Sequence, residues 1–270
     1  MRYDNATKRR SLIVALVQET GFRSSSELGS LLNVSENTIR RDIHRLADEG
    51  LLEAVHGGAR LTISQFGGRN FRSRMETNRT AKQAVARLAC QFIKPNSIVA
   101  LDAGTTVLEL ARILPRDMRL TIITHSMSTM TILSDREDIE LIGLGGALRH
   151  TNQAFTGSLT IRAIQEFRVN TLFLATKAIH DNAIYSGNPY DAEIKQALIE
   201  VSDLVVLLVD SAKFQSRAGI RVVPLDKIDV IVVDNAIDAN ITGQMKKMNM
   251  ELIVTPLEVS DHPAKSSNGK

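Results

Sequence analysis

The sequence predicts an α/β body with a mostly parallel sheet, preceded by a small helical domain that ends in a β-hairpin. Three observations predict this fold class. Beyond residue 80, short β-branched runs are continuously apolar, as in strands buried on both faces of a parallel sheet. These runs alternate with helical patterns. The first 60 residues instead carry helical patterns followed by a Gly-Gly pair. A length of 270 residues suits two domains.

Two helices are predicted before residue 33. The first spans residues 7–19, and the second starts at a capping box, in which Ser24 caps the first turn and Glu27 reaches back to the Ser24 backbone. The side chains that recur at helical spacing and should face the core are Leu12, Ile13, Leu16 and Val17 in the first helix, and Leu28, Leu31 and Leu32 in the second.

A third helix should begin at Glu36, with Ser35 as its cap. One side is apolar, formed by Val34, Ile39, Ile43 and Leu46. The other side is rich in side chains that read DNA, because arginine offers a fork to guanine or phosphate and asparagine pairs with adenine. With the hairpin at Gly57-Gly58 as a wing, residues 1–60 are predicted to form a winged helix-turn-helix. The candidate DNA contacts are Ser35, Asn37, Thr38, Arg40, Arg41, His44, Arg45 and His56. The alternative is a small three-helix bundle with solvated arginines.

Charge is distributed unevenly along the chain. Residues 1–90 hold 15 Lys and Arg against 9 Asp and Glu, while the rest holds 18 against 21. A basic first third suits a head that faces phosphates. Much of the excess lies in a predicted linker, residues 61–79, with a hinge at Gln65–Asn70. The linker arginines either touch DNA or are solvated, and solvation is slightly favoured.

Several classes of protein are disfavoured. The single cysteine, Cys90, sits in an apolar stripe and is expected to be a buried core residue. The six histidines show no metal-binding spacing, so no metal and no cofactor are predicted. No signal sequence and no apolar run of membrane-spanning length are found, so a cytoplasmic protein without membrane contact is expected.

The body is expected to span residues 80–257, starting with a helix near Thr80, and residues 258–270 are expected to be a frayed tail. The predicted strands are Ile98 to Leu101, Leu120 to Thr124, Ile139 to Leu144, Thr171 to Ala175, Leu204 to Val209 and Val230 to Val233.

Polar residues follow these strands, at the edge where ligands bind in open α/β sheets. In the segment Asp102-Ala103-Gly104-Thr105-Thr106, glycine permits close approach, threonine hydroxyls donate, and a helix N-terminus favours negative charge. The other strand ends are Thr124-His125-Ser126, Gly145-Gly146, Thr176-Lys177 and Asp210-Ser211-Ala212-Lys213. Five such ends favour a small-anion pocket. The alternative is that each is an ordinary turn or cap.

The chain resembles the DeoR family of bacterial transcriptional regulators over about residues 7 to 234. The resemblance is carried by TIRRDI at 38–43, GLL at 50–52, HGGA at 56–59, the linker residues Arg74, Asn78 and Lys82, the Asp102 to Thr106 loop, Gly145-Gly146, and Asp210-Ser211-Ala212-Lys213-Phe214. It implies a C-terminal domain similar in fold to ribose-5-phosphate isomerase that senses a phosphorylated sugar or related metabolite.

The resemblance also implies roles for individual residues. Gly104, Thr105 and Thr106 would take the phosphate, Asp102 would orient the loop or bond a sugar hydroxyl, and Lys213 would neutralise charge. Glu193 and Lys195 match a Glu-x-Lys of the family and either reach the pocket or pair with neighbours, the latter being favoured for Lys195. The effector candidates are Asp102, Gly104, Thr105, Thr106, Thr124, His125, Gly145, Gly146, Lys177, Glu193 and Lys213.

The chain departs from the family pattern at three places. His125 stands where asparagine is common, and Lys177 lies in a stretch that is often acidic. If both face the pocket, the effector carries an extra carboxylate or phosphate. The segment Asn188-Pro189-Tyr190 is also unlike the family, and the sequence alone offers no account of it.

Two functions of different class remain open on the sequence. The first is a repressor of a carbohydrate operon, in which a homodimer or homotetramer binds double-stranded operator DNA and a small ligand shifts its population of DNA-competent states. The second is a retained sugar-phosphate isomerase or transferase, with Asp102, Glu193 or Asp210 as general base and Lys213 as electrostatic partner. The regulator is favoured because an enzyme gains nothing from a winged head.

Overall fold

A computed structural model describes residues 3–20, 22–48, 51–60, 71–245, 248 and 250–256. They divide into two compact units, with the boundary between residues 70 and 71.

The N-terminal unit is a set of helices closed by a small antiparallel sheet. Its elements are α1 (Tyr3–Thr20), β1 (Phe22–Ser24), α2 (Ser25–Leu32), α3 (Glu36–Asp48), β2 (Glu53–Val55) and β3 (Gly58–Arg60). The strand order is β1-β3-β2. Gly57 turns the hairpin with a φ of 83°, a conformation that favours glycine. A Cβ at Gly58 would overlap the Arg23 carbonyl of β1, so the second glycine allows β3 to lie against that strand. The predicted winged helix-turn-helix is confirmed.

The core of this unit agrees with most of the predicted apolar faces. Ile13, Val17 and Leu28 are fully buried. The predictions for Leu12 and Leu31 were wrong, because their side chains are 52% and 56% exposed. At about 100° per residue, Leu12 lies roughly 120° from the direction midway between Ile13 and Val17, so it turns away from the core.

The second unit is an α/β body. Its helices are α4 (Phe71–Glu76), α5 (Arg79–Ala89), α6 (Thr105–Arg112), α7 (Met127–Leu133), α8 (Ser158–Gln165), α9 (Pro189–Glu200) and α10 (Ala239–Met245), with short 3-10 turns at Cys90–Phe92, Ser211–Phe214 and Leu225–Lys227. Its strands are β4 (Ile98–Leu101), β5 (Leu120–Thr124), β6 (Ile139–Gly143), β7 (Ala147–Arg149), β8 (Ala154–Thr156), β9 (Thr171–Leu174), β10 (Ala178–His180), β11 (Ala183–Ser186), β12 (Val205–Val209), β13 (Ile220–Pro224), β14 (Val230–Val233) and β15 (Glu251–Val254).

A parallel sheet of seven strands, counted over the described residues, forms the centre of the body. The strand order is β15-β14-β12-β9-β4-β5-β6, and every neighbouring pair is parallel. The chain builds outward from β4 to β6, then returns to the other side of β4 and continues through β9 to β15. The order of strands therefore reverses between β4 and β9, which is where open α/β sheets bind ligands.

The six predicted strands all form, which confirms the α/β body. The central strands β9, β12 and β14 are buried along their whole length, and apolar clusters cover both faces of the sheet. Strand β6 departs from the predicted burial because it is an edge strand and only partly covered. The sequence interpretation missed β15 and the two small antiparallel sheets, β7-β8 and β10-β11-β13.

Part of the predicted linker is structured. Residues 71–76 form α4, whose Phe71 is 7% exposed, and α5 begins at Arg79. Dense arginines made this stretch resemble a solvated linker, although an amphipathic helix also needs a charged face. The predicted hinge at Gln65–Asn70 and tail at 258–270 lie outside the described residues. Cys90 is half-buried, because it caps α5 at the rim of the core.

Candidate DNA-binding surface and candidate anion site

The polar side of α3 is formed as the sequence predicts. The Ser35 hydroxyl accepts the Thr38 backbone N–H at 3.3 Å, so the helix starts at Glu36. Ile39, Ile43 and Leu46 are buried on the opposite side. The candidate DNA contacts Ser35, Asn37, Arg40, Arg41, His44, Arg45 and His56 are exposed, and Thr38 is half-buried.

Helix α3 and the wing share one concave surface. Arg40, Ile43 and His44 line it from the helix, and residues 54–58, which include His56, line it from the hairpin. The Ser25 backbone N–H donates to the Gly57 carbonyl at 2.8 Å, which ties the hairpin turn to the start of α2. Three of the candidate residues are thereby brought together across a rigid turn.

The acidic residues of α3 are divided between the two sides of the helix. Glu36 pairs with Arg40 at 2.7 Å, with both side chains about half exposed. Asp42 is buried and pairs with Arg9 of α1 at 2.6 Å. Asp42 therefore fastens α3 to α1, and Glu36 is the acid that competes with phosphate for Arg40.

In the body, the loop after β4 meets the loop after β9 at the point where the strand order reverses. Gly104 caps α6, and a Cβ at this position would overlap the Cβ of Ala175. Glycine is required here so that the two loops can approach. The N-terminus of α6 therefore lies at the reversal point, where its first backbone N–H groups have no partner within the helix.

Two threonines line the start of α6. Thr105 is 9% exposed and Thr106 4% exposed. Among the described residues, neither hydroxyl takes part in a hydrogen bond. Unpaired hydroxyls and backbone donors at a helix N-terminus are suited to an anion.

Asp102, which starts this loop, is bonded on all sides. Its Oδ2 accepts the Ala175 backbone N–H at 2.9 Å and the Lys195 ammonium at 2.5 Å, and its Oδ1 lies 3.1 Å from His125 Nε2. Burial raises the pKa of the Asp102 carboxyl, but the charge of Lys195 and the contact with His125 outweigh burial and hold the pKa well below its ordinary value. Asp102 thus orients the loop, one of its two predicted roles.

Lys195 is fully buried on α9 and pairs with Asp102 and, at 3.5 Å, with Asp191. Burial lowers the pKa of this ammonium, but the charges of Asp102 and Asp191 more than compensate and raise the pKa above its ordinary value. The expectation that Lys195 pairs with neighbours is confirmed. Glu193 lies about 200° further round the helix and is exposed, so it does not share this position.

Thr124 and His125 hold loops in place. The Thr124 hydroxyl donates to the Leu101 carbonyl at 2.7 Å and accepts the Ser126 N–H. His125 is completely buried, and its Nδ1 lies 2.9 Å from the Phe155 carbonyl, which requires a proton on that nitrogen. Both ring nitrogens of His125 contact the protein, since Nε2 also accepts the Ala103 backbone N–H at 3.2 Å. That His125 makes a ligand pocket more positive stays a prediction.

A group of cations surrounds Asp210 at the end of β12. Asn78 donates to Asp210 Oδ1 at 3.1 Å, and Lys213 lies 3.7 Å from Oδ2. Lys82 is buried nearby, where its ammonium donates to the Arg74 and Thr77 carbonyls. Burial, Lys213 and Arg74 lower the pKa of Lys82 to about 8, against the opposing pull of Asp210. The three residues named as family linker positions therefore belong to the body.

The remaining effector candidates have mixed positions. Gly145 and Gly146 form the turn into β7, where Gly146 has a φ of 148° and the Thr160 hydroxyl donates to the Gly145 carbonyl. Both are exposed. Lys177 follows β9, is half-buried, and donates its backbone N–H to the Tyr185 carbonyl.

The structure also explains Asn188-Pro189-Tyr190. The Asn188 side chain accepts the Asp191 backbone N–H at 2.9 Å, and Pro189 occupies the first turn of α9. An Asn followed by Pro is a helix-start signal that the sequence interpretation missed. Tyr190 carries the guanidinium of Arg149 over its ring, at 4.6 Å from the centroid.

Within the described residues, no helix is long and apolar enough to cross a membrane. No cluster of three or more His, Cys, Asp or Glu side chains in those residues could hold a metal ion.

Comparison with known proteins identifies both units. Residues 9–65 match the DeoR-like helix-turn-helix domain, and residues 77–235 match the DeoR C terminal sensor domain. The L-fucose operon activator of Haemophilus influenzae is 32% identical over 86% of this chain and 94% of its own length. The glycerol-3-phosphate regulon repressor of Escherichia coli is 31% identical over 84% and 90%.

The similarity to solved structures is lower. Ribose 5-phosphate isomerase A from Methanocaldococcus jannaschii is 18% identical over 51% of this chain and 55% of its own, with a TM-score of 0.39. A likeness at this score carries no argument about function.

Proposed function

Because the chain belongs to the DeoR family and is a DNA-binding transcriptional regulator, we propose that it represses carbohydrate genes and is controlled by a phosphorylated sugar or acidic sugar metabolite. The two relatives named above are the activator of an L-fucose operon and the repressor of a glycerol-3-phosphate regulon. We favour repression over activation because a repressor needs only to occupy its operator. The proposed assembly is a homodimer or homotetramer that binds twofold-related half-sites.

The proposed DNA contacts are the exposed residues of α3 together with His56 of the wing. Arg40 and His44 line the same concave surface as the wing, so a groove entered by α3 would bring both to the base edges. Binding to phosphate would exchange the solvent-exposed pair of Arg40 with Glu36 for a contact with DNA. Such exposed pairs are worth little, so the exchange costs little.

One observation carries the proposed effector site: the N-terminus of α6 begins at the reversal of strand order, with two mostly buried threonines whose hydroxyls form no hydrogen bond within the described residues. Phosphate suits this position because backbone N–H groups and hydroxyls donate to it without a compensating acid. Asp102 is already neutralised by Lys195 and so does not repel an anion. Asp210 and its partner Lys213 follow β12, two strands from β4 in the sheet.

The enzyme alternative is not supported. The matching families and relatives are regulators. The three residues considered as general base are also unsuited to that role. The pKa of Asp102 is held low, Glu193 is exposed on the far side of α9, and Asp210 accepts a hydrogen bond from Asn78.

A route from the effector to the head begins at α4, which follows directly on the boundary at residue 70. Lys82 binds two carbonyls at the end of α4, Arg74 donates to the Thr151 carbonyl at 3.1 Å, and Asn78 binds Asp210. An anion that draws Lys213 away from Asp210 would change the charge that Asn78 and Lys82 face. We propose that these bonds carry the signal.

The test uses the full-length protein in two steps. A random duplex library is first selected for binding, which yields the operator and shows whether its half-sites are palindromic. Fluorescence anisotropy on that operator is then measured with inorganic phosphate, glycerol 3-phosphate, ribose 5-phosphate, glucose 6-phosphate and the unphosphorylated sugars.

Release of DNA by a phosphorylated compound, and not by its unphosphorylated form, is expected. Thr105→Val with Thr106→Val should abolish the release and leave operator affinity unchanged. Thr121→Val, at a half-buried position of β5, is the matched control. If the double valine variant released DNA at the same effector concentrations as the wild type, the proposed effector site would be overturned.

A further inference from the structure

The turn between β7 and β8 holds polar groups that the protein does not satisfy. Arg149 Nε and Asn152 Oδ1 are shielded from solvent, and neither has a hydrogen-bond partner among the described residues. Asn152 is 8% exposed. Arg149 also takes part in no ion pair within the described part of the chain; its guanidinium rests on the Tyr190 ring. An unpaired buried polar group is unfavourable, because no hydrogen bond offsets its loss of hydration, so this arrangement needs a reason.

The turn is joined to the proposed effector site by two separate paths. Strand β8 is bonded to the end of β5, because Phe155 exchanges hydrogen bonds with both the backbone and the ring of His125. His125 in turn contacts Asp102. On the other side, Tyr190 precedes Asp191, which pairs with Lys195, and Lys195 pairs with Asp102. The Arg149 and Asn152 turn and the phosphate loop are therefore anchored on one buried carboxylate.

The turn itself is held firmly. Arg74 donates to the Thr151 carbonyl at 3.1 Å, and the Gln153 carbonyl accepts the Met127 N–H at 2.9 Å. The backbone between Arg149 and Asn152 is thus fixed at both sides, while Arg149 Nε and Asn152 Oδ1 have no hydrogen-bond partner among the described residues. Rotation of those side chains toward a ligand would remove a cost that the free protein carries.

We propose that Arg149 and Asn152 form the specificity end of the effector site, at which Arg149 takes a second acidic group and Asn152 accepts a sugar hydroxyl. The proposal rests on the proposed function, since the first acidic group is the phosphate at α6. A guanidinium stacked on an aromatic ring presents its N–H edge to a carboxylate or phosphate as a planar fork. The effector is then a sugar phosphate with an acid at its other end. Arg149 takes the place that the sequence had assigned to His125.

The test compares matched pairs that differ in a single group, a terminal alcohol or a carboxylate, at three to six carbons. Glycerol 3-phosphate is paired with 3-phosphoglycerate, and sorbitol 6-phosphate with 6-phosphogluconate, with four- and five-carbon pairs between them. Affinity for the full-length protein is measured by calorimetry and by the rise in melting temperature. In a pair that binds, the acid should bind about tenfold or more tightly than the alcohol, because it adds one bidentate pair.

Arg149→Gln should remove this preference and leave affinity for the alcohol within about twofold. Arg168→Gln, which changes an exposed arginine of the body, is the control and should keep the preference. Asn152→Leu should weaken both members of a pair equally. Equal binding of acid and alcohol by the wild-type protein, or a preference that survives in Arg149→Gln, would overturn the proposal while the phosphate site stands. Failure of every pair to bind would instead refute the proposed phosphate sensing, and this inference with it.

Discussion

Two ion pairs, one in each unit, show how differently the head and the body use charge. Glu36 and Arg40 pair at 2.7 Å on α3 with both side chains about half exposed. Asp102 and Lys195 pair at 2.5 Å with side chains that are 0% and 3% exposed. The exposed pair is weak and can be exchanged for a contact with DNA. The buried pair is costly to break, so it holds in place the loops of the proposed anion site.

The largest expected effect comes from breaking the buried pair. Asp102→Ala should lower the free energy of unfolding by about 3–5 kcal/mol, because it leaves the Lys195 ammonium buried without its partner. Glu36→Ala, which removes the acid of the exposed pair, should change it by less than about 1 kcal/mol. Urea denaturation of both variants measures the contrast. Similar losses of unfolding free energy in the two variants would contradict the distinction between the buried pair and the exposed pair.

The close approach of the two loops gives the next largest effect. Gly104→Ala should destabilise the body by about 1–3 kcal/mol and weaken the response to effector, because the new Cβ overlaps Ala175. The double variant Gly104→Ala with Ala175→Gly removes the opposing Cβ and should recover most of the loss. Gly145→Ala, at a position with open space around it, is the control. Denaturant midpoints measure the stability of each variant. A double variant no more stable than Gly104→Ala alone would rule out this steric account.

On the head, Arg40→Ala should weaken operator binding by about 1–3 kcal/mol, since it removes one contact in the groove. The DNA complexes that still form should respond to effector as in the wild type, because the proposed anion site lies in the other unit. Anisotropy titrations with the selected operator measure both quantities. Arg168→Ala, in the body, should leave operator affinity unchanged. A normal affinity for Arg40→Ala would mean that α3 does not enter the groove by this side.

The smallest effect concerns pH. Lys82 in the folded protein has a pKa of about 8, below its ordinary 10.5, so between these values the unfolded chain binds more protons than the folded one. The stability of the wild type relative to Lys82→Met should therefore rise as the pH increases from 8 to 10.5, on the order of 1 kcal/mol. Urea titrations of both proteins across this range measure the difference. Parallel pH profiles would show that Lys82 is not desolvated.

The head was predictable to the level of side chains. Helical periodicity decides which residues of α3 face outward, and Ser35 and the Ser24-Glu27 capping box mark helix starts through bonds to residues three positions away. The errors at Leu12 and Leu31 arose where a long apolar residue lies beside the buried stripe, and only packing shows on which side it falls.

The body was predictable as a set of strands, and only in part as a site. The apolar runs predicted six strands, and the polar residues after them were correctly assigned to strand ends. The roles of those residues could not be predicted. Asp102, Thr124 and His125 form hydrogen bonds with neighbouring loops. Lys82, Arg149 and Asp191 reach the region from distant segments of the chain.

The sequence by itself determined the fold class, the starts of α2 and α3, the strand cores and the family. These follow from local periodicity, from capping chemistry and from motifs that are contiguous in the chain. Tertiary structure alone decided the order of the strands, and with it the meeting of Gly104 and Ala175 at the reversal point. It also decided which charges are neutralised, because the partner of Asp102 lies 93 residues away on α9. No local pattern encodes a bond of that span.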